Sequence, residues 1–166
     1  MSVAAAIARL DKLADSRTVS TLSTAFAAAG RELALVGGPV RDAFLDRAVT
    51  DLDFATDAGP DEILAIVTPI SDAQWDVGRE FGTIAARFGR DTVEITTYRA
   101  DSYDAASRKP TVEFGDSLEG DLVRRDFTVN AMALRLPQRV LVDPWGGLGP
   151  PCPADHHSRS PRGLVR

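Results

Sequence analysis

Apolar residues along the first thirty positions keep a helical beat, with Val3, Ile7, Leu10 and Leu13 on one stripe and Val19, Leu22 and Phe26 on a second. This spacing predicts two short amphipathic helices, the second capped by Gly30. The run Leu33–Val36 is continuously apolar and ends in Gly37-Gly38, which predicts a buried strand turning into a helix over Val40–Leu45 with Pro39 in its first turn. Asp51–Ala55 reads as a second strand, Asp61–Val67 as a helix with acidic residues in its first turn, and Gln74–Val77 as a third strand. Thr83–Phe88 and Thr92–Tyr98 alternate around Gly89-Arg90-Asp91, a hairpin signal. The polar, turn-rich stretch Ala100–Pro110 is expected to be a mobile loop. Ser117 is placed to start a helix carrying Leu122 and Val123, and Phe127–Leu134 is expected to form another. No internal repeat is visible.

Composition narrows this picture. A chain of 166 residues, 44% of them hydrophobic, buries one core of ordinary size, so a single domain is expected. The net charge of −5 lacks the basic excess of a protein whose whole surface wraps nucleic acid, so any such partner needs a local basic patch. Cys152 is the single cysteine, which excludes an internal disulfide framework, and Met1–Leu10 lacks the apolar core of a signal peptide. No apolar stretch approaches the ~20 residues that span a bilayer, and a cytoplasmic protein is expected. After Gly149 the segment PPCPADHHSRSPRGLVR holds both histidines and the cysteine and has no hydrophobic period. Cys152, Asp155, His156 and His157 suggest zinc, but adjacent histidines in such a terminus converge poorly on one tetrahedral ion. A disordered end is the expectation.

The chemistry concentrates in VGGPVRDAFLDRAVTDLDFAT, Val36–Thr56. Asp51 and Asp53 lie two apart on a predicted strand and so share a face. Carboxylates placed side by side repel unless a cation lies between them, and hard oxygen ligands suit magnesium held with substrate phosphates. Alone, such a pair is more often two solvent-facing aspartates at a strand end. Gly37-Gly38 allows backbone N–H groups to approach a phosphate, the following helix adds its dipole, and Arg41 sits one turn on. The motif is neither GxGxxG nor a P-loop, and glycine pairs mostly serve tight turns. Glu94, at the start of EITTY, is the candidate third carboxylate of a two-metal site, against a bland role as an exposed cross-strand glutamate. LVRRDFTVNAMAL sets Arg124, Arg125, Asp126 and Asn130 beside an apolar run, where a triphosphate clamp would fit as readily as ordinary surface charge.

Taken in order, VGGPVRD, DLDFAT, GREFGTIAARF, VEITTYR, DLVRRDFTVNAMAL and LVDPWGG resemble the N-terminal catalytic domain of class II tRNA nucleotidyltransferases, the CCA-adding enzymes, a domain shared with bacterial poly(A) polymerases. The resemblance runs from about Leu33 to Gly147. It implies an α/β (α+β) fold of the DNA polymerase β-like nucleotidyltransferase head, a small mixed sheet flanked by helices, over residues 31–149 after an N-terminal helical segment, 1–30. By position, Asp51 and Asp53 match the family's metal-binding aspartates and Glu94 its third catalytic carboxylate. Gly37, Gly38 and Arg41 fall on the glycine motif, and Arg125 on the triphosphate-contacting arginine supported by Asp126 and Asn130. The implied reaction is in-line attack of an RNA 3′-hydroxyl on the α-phosphate of CTP or ATP, with magnesium as cofactor and the tRNA 3′ end as acceptor. Two alternatives keep the same site: a poly(A) polymerase head, or a nucleotide-binding remnant without catalysis. The family's base-selecting neck motif has no counterpart after Gly147, and residues 150–166 are expected to be an out-of-frame tail or the end of a truncated reading frame.

Overall fold

A computed structural model describes residues 3–44, 52–78, 82–102, 111–114, 117–124 and 131–144. The chain opens with helices α1 (Val3–Ala14) and α2 (Arg17–Ala28), then strand β1 (Leu33–Val36), helix α3 (Gly38–Phe44), strand β2 (Leu52–Thr56) and helix α4 (Pro60–Val67). Strands β3 (Ala73–Gly78), β4 (Thr83–Phe88) and β5 (Asp91–Thr97) follow, then the short β6 (Arg99–Ser102) and β7 (Thr111–Phe114). Helix α5 (Leu118–Val123) and strands β8 (Ala133–Leu136) and β9 (Val140–Val142) complete it. Seven strands form one sheet in the order β3-β4-β5-β2-β1-β8-β9, and β6 and β7 pair separately. Within the large sheet β2 and β5 are parallel and the other neighbours antiparallel, so the sheet is mixed.

Local signals explain most of these elements. Ser16 caps α2 by accepting the Val19 N–H at its hydroxyl, and Pro60 begins α4 with Asp61 and Glu62 in the first turn, where carboxylates complement the helix dipole. The β4–β5 turn closes on Gly89, whose φ of +62° suits a residue without Cβ, with Phe88 opposite Asp91.

The two faces of the sheet differ. Leu33, Leu35, Leu52, Phe54, Ile84, Val93 and Ile95 point to one side, where they pack in a single cluster with Leu10, Val19, Leu22 and Phe26 from α1 and α2, Val40 from α3 and Ile63 from α4. Burying these side chains supplies the main stabilisation, about 1.5–3 kcal/mol for each large one. The other face carries small residues, Ala34, Val36, Ala55 and Ala133, which pack with Leu118 and Leu122 of α5 and with Tyr98. Both faces of β1 are therefore covered, which accounts for its unbroken apolar run.

Two expectations need correction. The helix expected over Phe127–Leu134 does not extend through its last residues: Ala133 and Leu134 belong to β8, paired with Val36 and Leu35 of β1, while 127–130 lie outside the described residues. A short apolar run fits a buried strand as well as a helix, and the edge of β1 supplies the hydrogen-bonding partner that decides. The expected loop Ala100–Pro110 begins as strand, with Ala100, Asp101 and Ser102 opposite Glu113, Val112 and Thr111, and its remaining residues lie outside the described set. So does the segment 150–166 expected to be disordered.

Candidate functional site

Parallel pairing of β2 with β5 sets Asp53 directly opposite Glu94. Neighbouring strands lie about 4.8 Å apart, so the two carboxylates rise side by side from the face opposite the main core. Glu94 is exposed and Asp53 half-buried. Two residues along β5, Thr96 shares this face and pairs with Thr83 of β4, their hydroxyl oxygens 3.1 Å apart. The Arg99 guanidinium donates to Thr83 Oγ1 at 3.2 Å. Asp53, Glu94, Thr83, Thr96, Arg99 and Arg124 line a cleft of about 310 Å³, walled by Val36, Phe54 and Val77.

The two arginines share an anchor. Asp121 of α5 is buried, and its Oδ1 accepts the Arg99 backbone N–H at 2.9 Å and an Arg124 guanidinium N–H at 3.4 Å. Among the described residues Arg124 Nε is buried with no hydrogen-bond partner, a donor beside a cleft that suits an anion. The arrangement sets two acidic oxygen donors on the sheet and two guanidinium groups at its rim. That is a polarity suited to a metal-bound polyphosphate.

Gly37 leaves β1 at φ +67°, a left-handed conformation that an L side chain rarely adopts. Its N–H donates to Met132 C=O at 3.1 Å, and its own carbonyl accepts the Arg41 N–H at 2.9 Å, opening α3. A Cβ on Gly38 would lie 3.6 Å from the Arg41 guanidinium, an ordinary contact. Arg41 pairs with Asp42 at 3.2 Å. Val36 is a wall of the cleft, so the glycine turn departs from its edge, although Gly37, Gly38 and Arg41 are not among the lining residues.

Of the residues picked from sequence, the fold brings Asp53 and Glu94 together and puts Gly37, Gly38 and Arg41 on the adjoining turn. Asp51, Arg125, Asp126 and Asn130 lie outside the described residues. Among the described residues no group of three His, Cys, Asp or Glu is gathered, so the Asp53–Glu94 pair is the acidic part of the site that can be seen. Its hard oxygen donors fit a divalent cation such as magnesium. Sequence reasoning passed over Thr83, Thr96 and Arg99. Thr96 was accessible in principle, two residues from Glu94 on an alternating strand, whereas Thr83 and Arg99 join the site only through pairing and packing.

A second polar cluster sits behind the site. Tyr98 is fully buried and donates its hydroxyl hydrogen to Glu32 Oε1 at 3.0 Å. Burial, and then the neighbouring Glu32 carboxylate, push the phenol far above its ordinary range. Arg135 of β8 bonds the same Glu32 oxygen at 3.1 Å and also pairs with Glu119 of α5, tying β8 and α5 to the start of β1.

A mixed seven-stranded sheet, with helices α1 to α4 packed on one face and a cleft on the other that sets Asp53 and Glu94 beside Arg99 and Arg124, defines an α/β domain. Residues 33–149 match the poly A polymerase head domain family, and the chain belongs to that family. It is 44% identical over 120 residues to the CCA-adding enzyme of Bacillus subtilis (strain 168), covering 72% of this chain and 29% of the enzyme. The CCA-adding enzyme of Bacillus licheniformis is 47% identical over 120 residues, with the same shares covered. Among solved structures, the Bacillus stearothermophilus CCA-adding enzyme in complex with CTP superposes with a TM-score of 0.64 at 36% identity, covering 76% of this chain and 29% of that one. A tRNA nucleotidyltransferase complexed with a primer tRNA and an incoming ATP analog gives 0.59 at 30% identity, over 76% and 35% of the two chains. The chain thus spans about 29% of the length of the curated relatives it matches. Among the described residues no helix is long and apolar enough to cross a membrane.

Proposed function

We propose that this chain carries the catalytic head of a template-independent RNA nucleotidyltransferase, transferring a nucleotide from CTP or ATP to the 3′-hydroxyl of a tRNA. The observation that carries the reading is the side-by-side placement of Asp53 and Glu94 on the open face of the sheet, with Arg99 and Arg124 at the rim of the same cleft. Asp51 and Asp53 are the proposed magnesium ligands, with Glu94 as third catalytic carboxylate. Magnesium held there would lower the pKa of the attacking hydroxyl and neutralise charge on the leaving pyrophosphate. The protein's own contribution is positional. Gly37, Gly38, Arg41 and Arg125 are assigned to hold the triphosphate, Asp126 and Asn130 to support Arg125, and Arg124 to offer its unpartnered Nε–H to a phosphate oxygen. The hydroxyl oxygen attacks the α-phosphorus in line as the bond to pyrophosphate breaks, and its proton passes to a carboxylate or water.

Choosing C over A needs hydrogen bonds to a base edge, because triphosphate and ribose are common to both. No residue of the described cleft is assigned that task. The 166-residue chain is therefore expected to bind magnesium-CTP and magnesium-ATP weakly, without ordered C, C, A addition. The test pairs calorimetric nucleotide binding, with and without magnesium, with incorporation on a tRNA lacking its 3′ end, in wild type, Asp53→Asn and Glu94→Gln. Both variants keep side-chain shape and remove charge. They should lose magnesium-dependent nucleotide binding, and any incorporation should fall at least 100-fold, about 2.7 kcal/mol of transition-state stabilisation. Wild-type protein that binds nucleotide equally well without magnesium, or an Asp53→Asn variant that keeps a tenth of the turnover, would sink the proposal. Incorporation restricted to ATP would point to a poly(A) polymerase head.

A further inference from the structure

The site's face of the sheet continues past Glu94 to β3, the outermost strand. A single cross-strand row runs Asp53 on β2, Glu94 on β5, Ala85 on β4 and Trp75 on β3. Trp75 ends the row on the outermost strand with 43% of its surface exposed. Arg87, two residues beyond Ala85, points to the same face, paired across with Ala73 and Thr92, and is exposed. Trp75 and Arg87 are thus diagonal neighbours, roughly 7–8 Å apart. Val77, 51% exposed, is turned into the cleft wall where the β3–β4 register shifts between Asp76 and Gly78.

Trp75 and Val77 together set exposed apolar surface beside the Arg87 guanidinium, and such a patch marks a binding surface more than a lone exposed ring does. Edge-to-edge strand pairing fits poorly, because Asp76 and the irregular register at Val77 are features that blunt an edge against another strand. Aromatic rings beside a guanidinium suit single-stranded nucleic acid, the ring stacking on a base and the cation meeting a phosphate. Three strand steps of about 4.8 Å place Trp75 roughly 14 Å from Asp53. That is too far for the base of a nucleotide whose α-phosphate lies at Asp53. It fits a base one or two positions upstream in a strand whose 3′ end lies there.

We propose that Trp75 and Arg87 form a track that holds the 3′-terminal single strand of the acceptor RNA, Trp75 stacking on an upstream base and Arg87 contacting the adjoining phosphate. The proposal rests on reading Asp53 and Glu94 as the catalytic pair. Its test is fluorescence anisotropy of a labelled short RNA ending in 3′-CC, at low salt, with the full chain. Trp75→Thr keeps strand propensity and should weaken binding about tenfold, while Trp75→Phe, which still stacks, should stay within about threefold. Arg87→Ala should lower the slope of log affinity against log salt by roughly 0.7. Asp53→Asn should not weaken RNA binding but should abolish transfer, so failure of the catalytic reading shows in transfer and failure of the track in affinity. Equal RNA affinity in wild type and Trp75→Thr, both with native circular dichroism, would overturn the track. So would no RNA binding by wild type, or a concentration-dependent dimer that Trp75→Thr abolishes with RNA affinity unchanged. Were Trp75→Thr to lose its fold, the Trp75→Phe and Arg87→Ala results alone would decide.

Discussion

Asp121 offers the sharpest perturbation, since one buried carboxylate positions both described arginines of the cleft. It accepts the Arg99 N–H at 2.9 Å and the Arg124 guanidinium at 3.4 Å from the end of α5. Asp121→Ala removes the one oxygen that accepts both hydrogen bonds and leaves Arg124, whose Nε has no partner among the described residues, without this countercharge. A hydrogen bond to a charged group contributes about 1.5–3 kcal/mol, and stranding one member of a fully buried pair costs about 3–5 kcal/mol. Arg124 keeps 22% of its side chain in solvent, so the lower range applies, about 2–3 kcal/mol. For a chain of this length that is a fall in Tm of roughly 5–10 °C. Asp121→Asn keeps an oxygen for the Arg99 N–H but loses the charge facing Arg124, and should cost about half as much. Differential scanning calorimetry reads the stability, and calorimetric titration with magnesium-ATP reads the site, where both variants should bind more weakly as the arginines lose their orientation. If Asp121→Ala melted within 2 °C of wild type, the claim that this carboxylate holds the cleft together would be refuted.

Further outcomes follow from other positions. Gly37→Ala forces a Cβ onto a φ of +67° and should cost about 1–2 kcal/mol by urea denaturation, with nucleotide binding reduced as the turn shifts. Tyr98 has a folded-state pKa raised above the unfolded value of about 10, so its contribution is fully present below pH 10 and is lost as pH rises beyond it. Stability should therefore fall by up to about 1.4 kcal/mol per pH unit above pH 10, and Tyr98→Phe should flatten that slope; an unchanged slope would show that another group is responsible. Removing residues 150–166 is expected to leave Tm within about 2 °C, because this proline-rich, aperiodic segment offers no apolar face to bury.

The sequence made the core legible and the site only in fragments, for reasons that lie in the range of the interactions. Helical stripes such as Leu10, Val19, Leu22 and Phe26 and the alternation of Ile84, Val93 and Ile95 are local records of one buried face, and each lands in the same cluster. The β4–β5 hairpin was equally local, since Gly89 and the flanking strands sit together in the chain. Strand β8 was misread because Ala133–Leu136 carries no period of its own. Its strand state comes from β1, almost a hundred residues earlier, which needs an antiparallel partner along Leu33–Val36. The same distinction divides the site. Asp53 and Glu94 could be nominated by residue type, but their value depends on the parallel register of β2 and β5, which a one-residue slip would destroy by turning one carboxylate into the core. Arg99 was not nominated at all. Its backbone is tethered to Asp121 across 22 residues and its guanidinium to Thr83 across 16, contacts that leave no spacing to read. A turn written in adjacent residues, as at Gly37-Gly38, is visible one-dimensionally; a cluster assembled by strand order becomes visible only once the sheet is laid out, as with the exposed pair Trp75 and Arg87 at the far end of the row from Asp53.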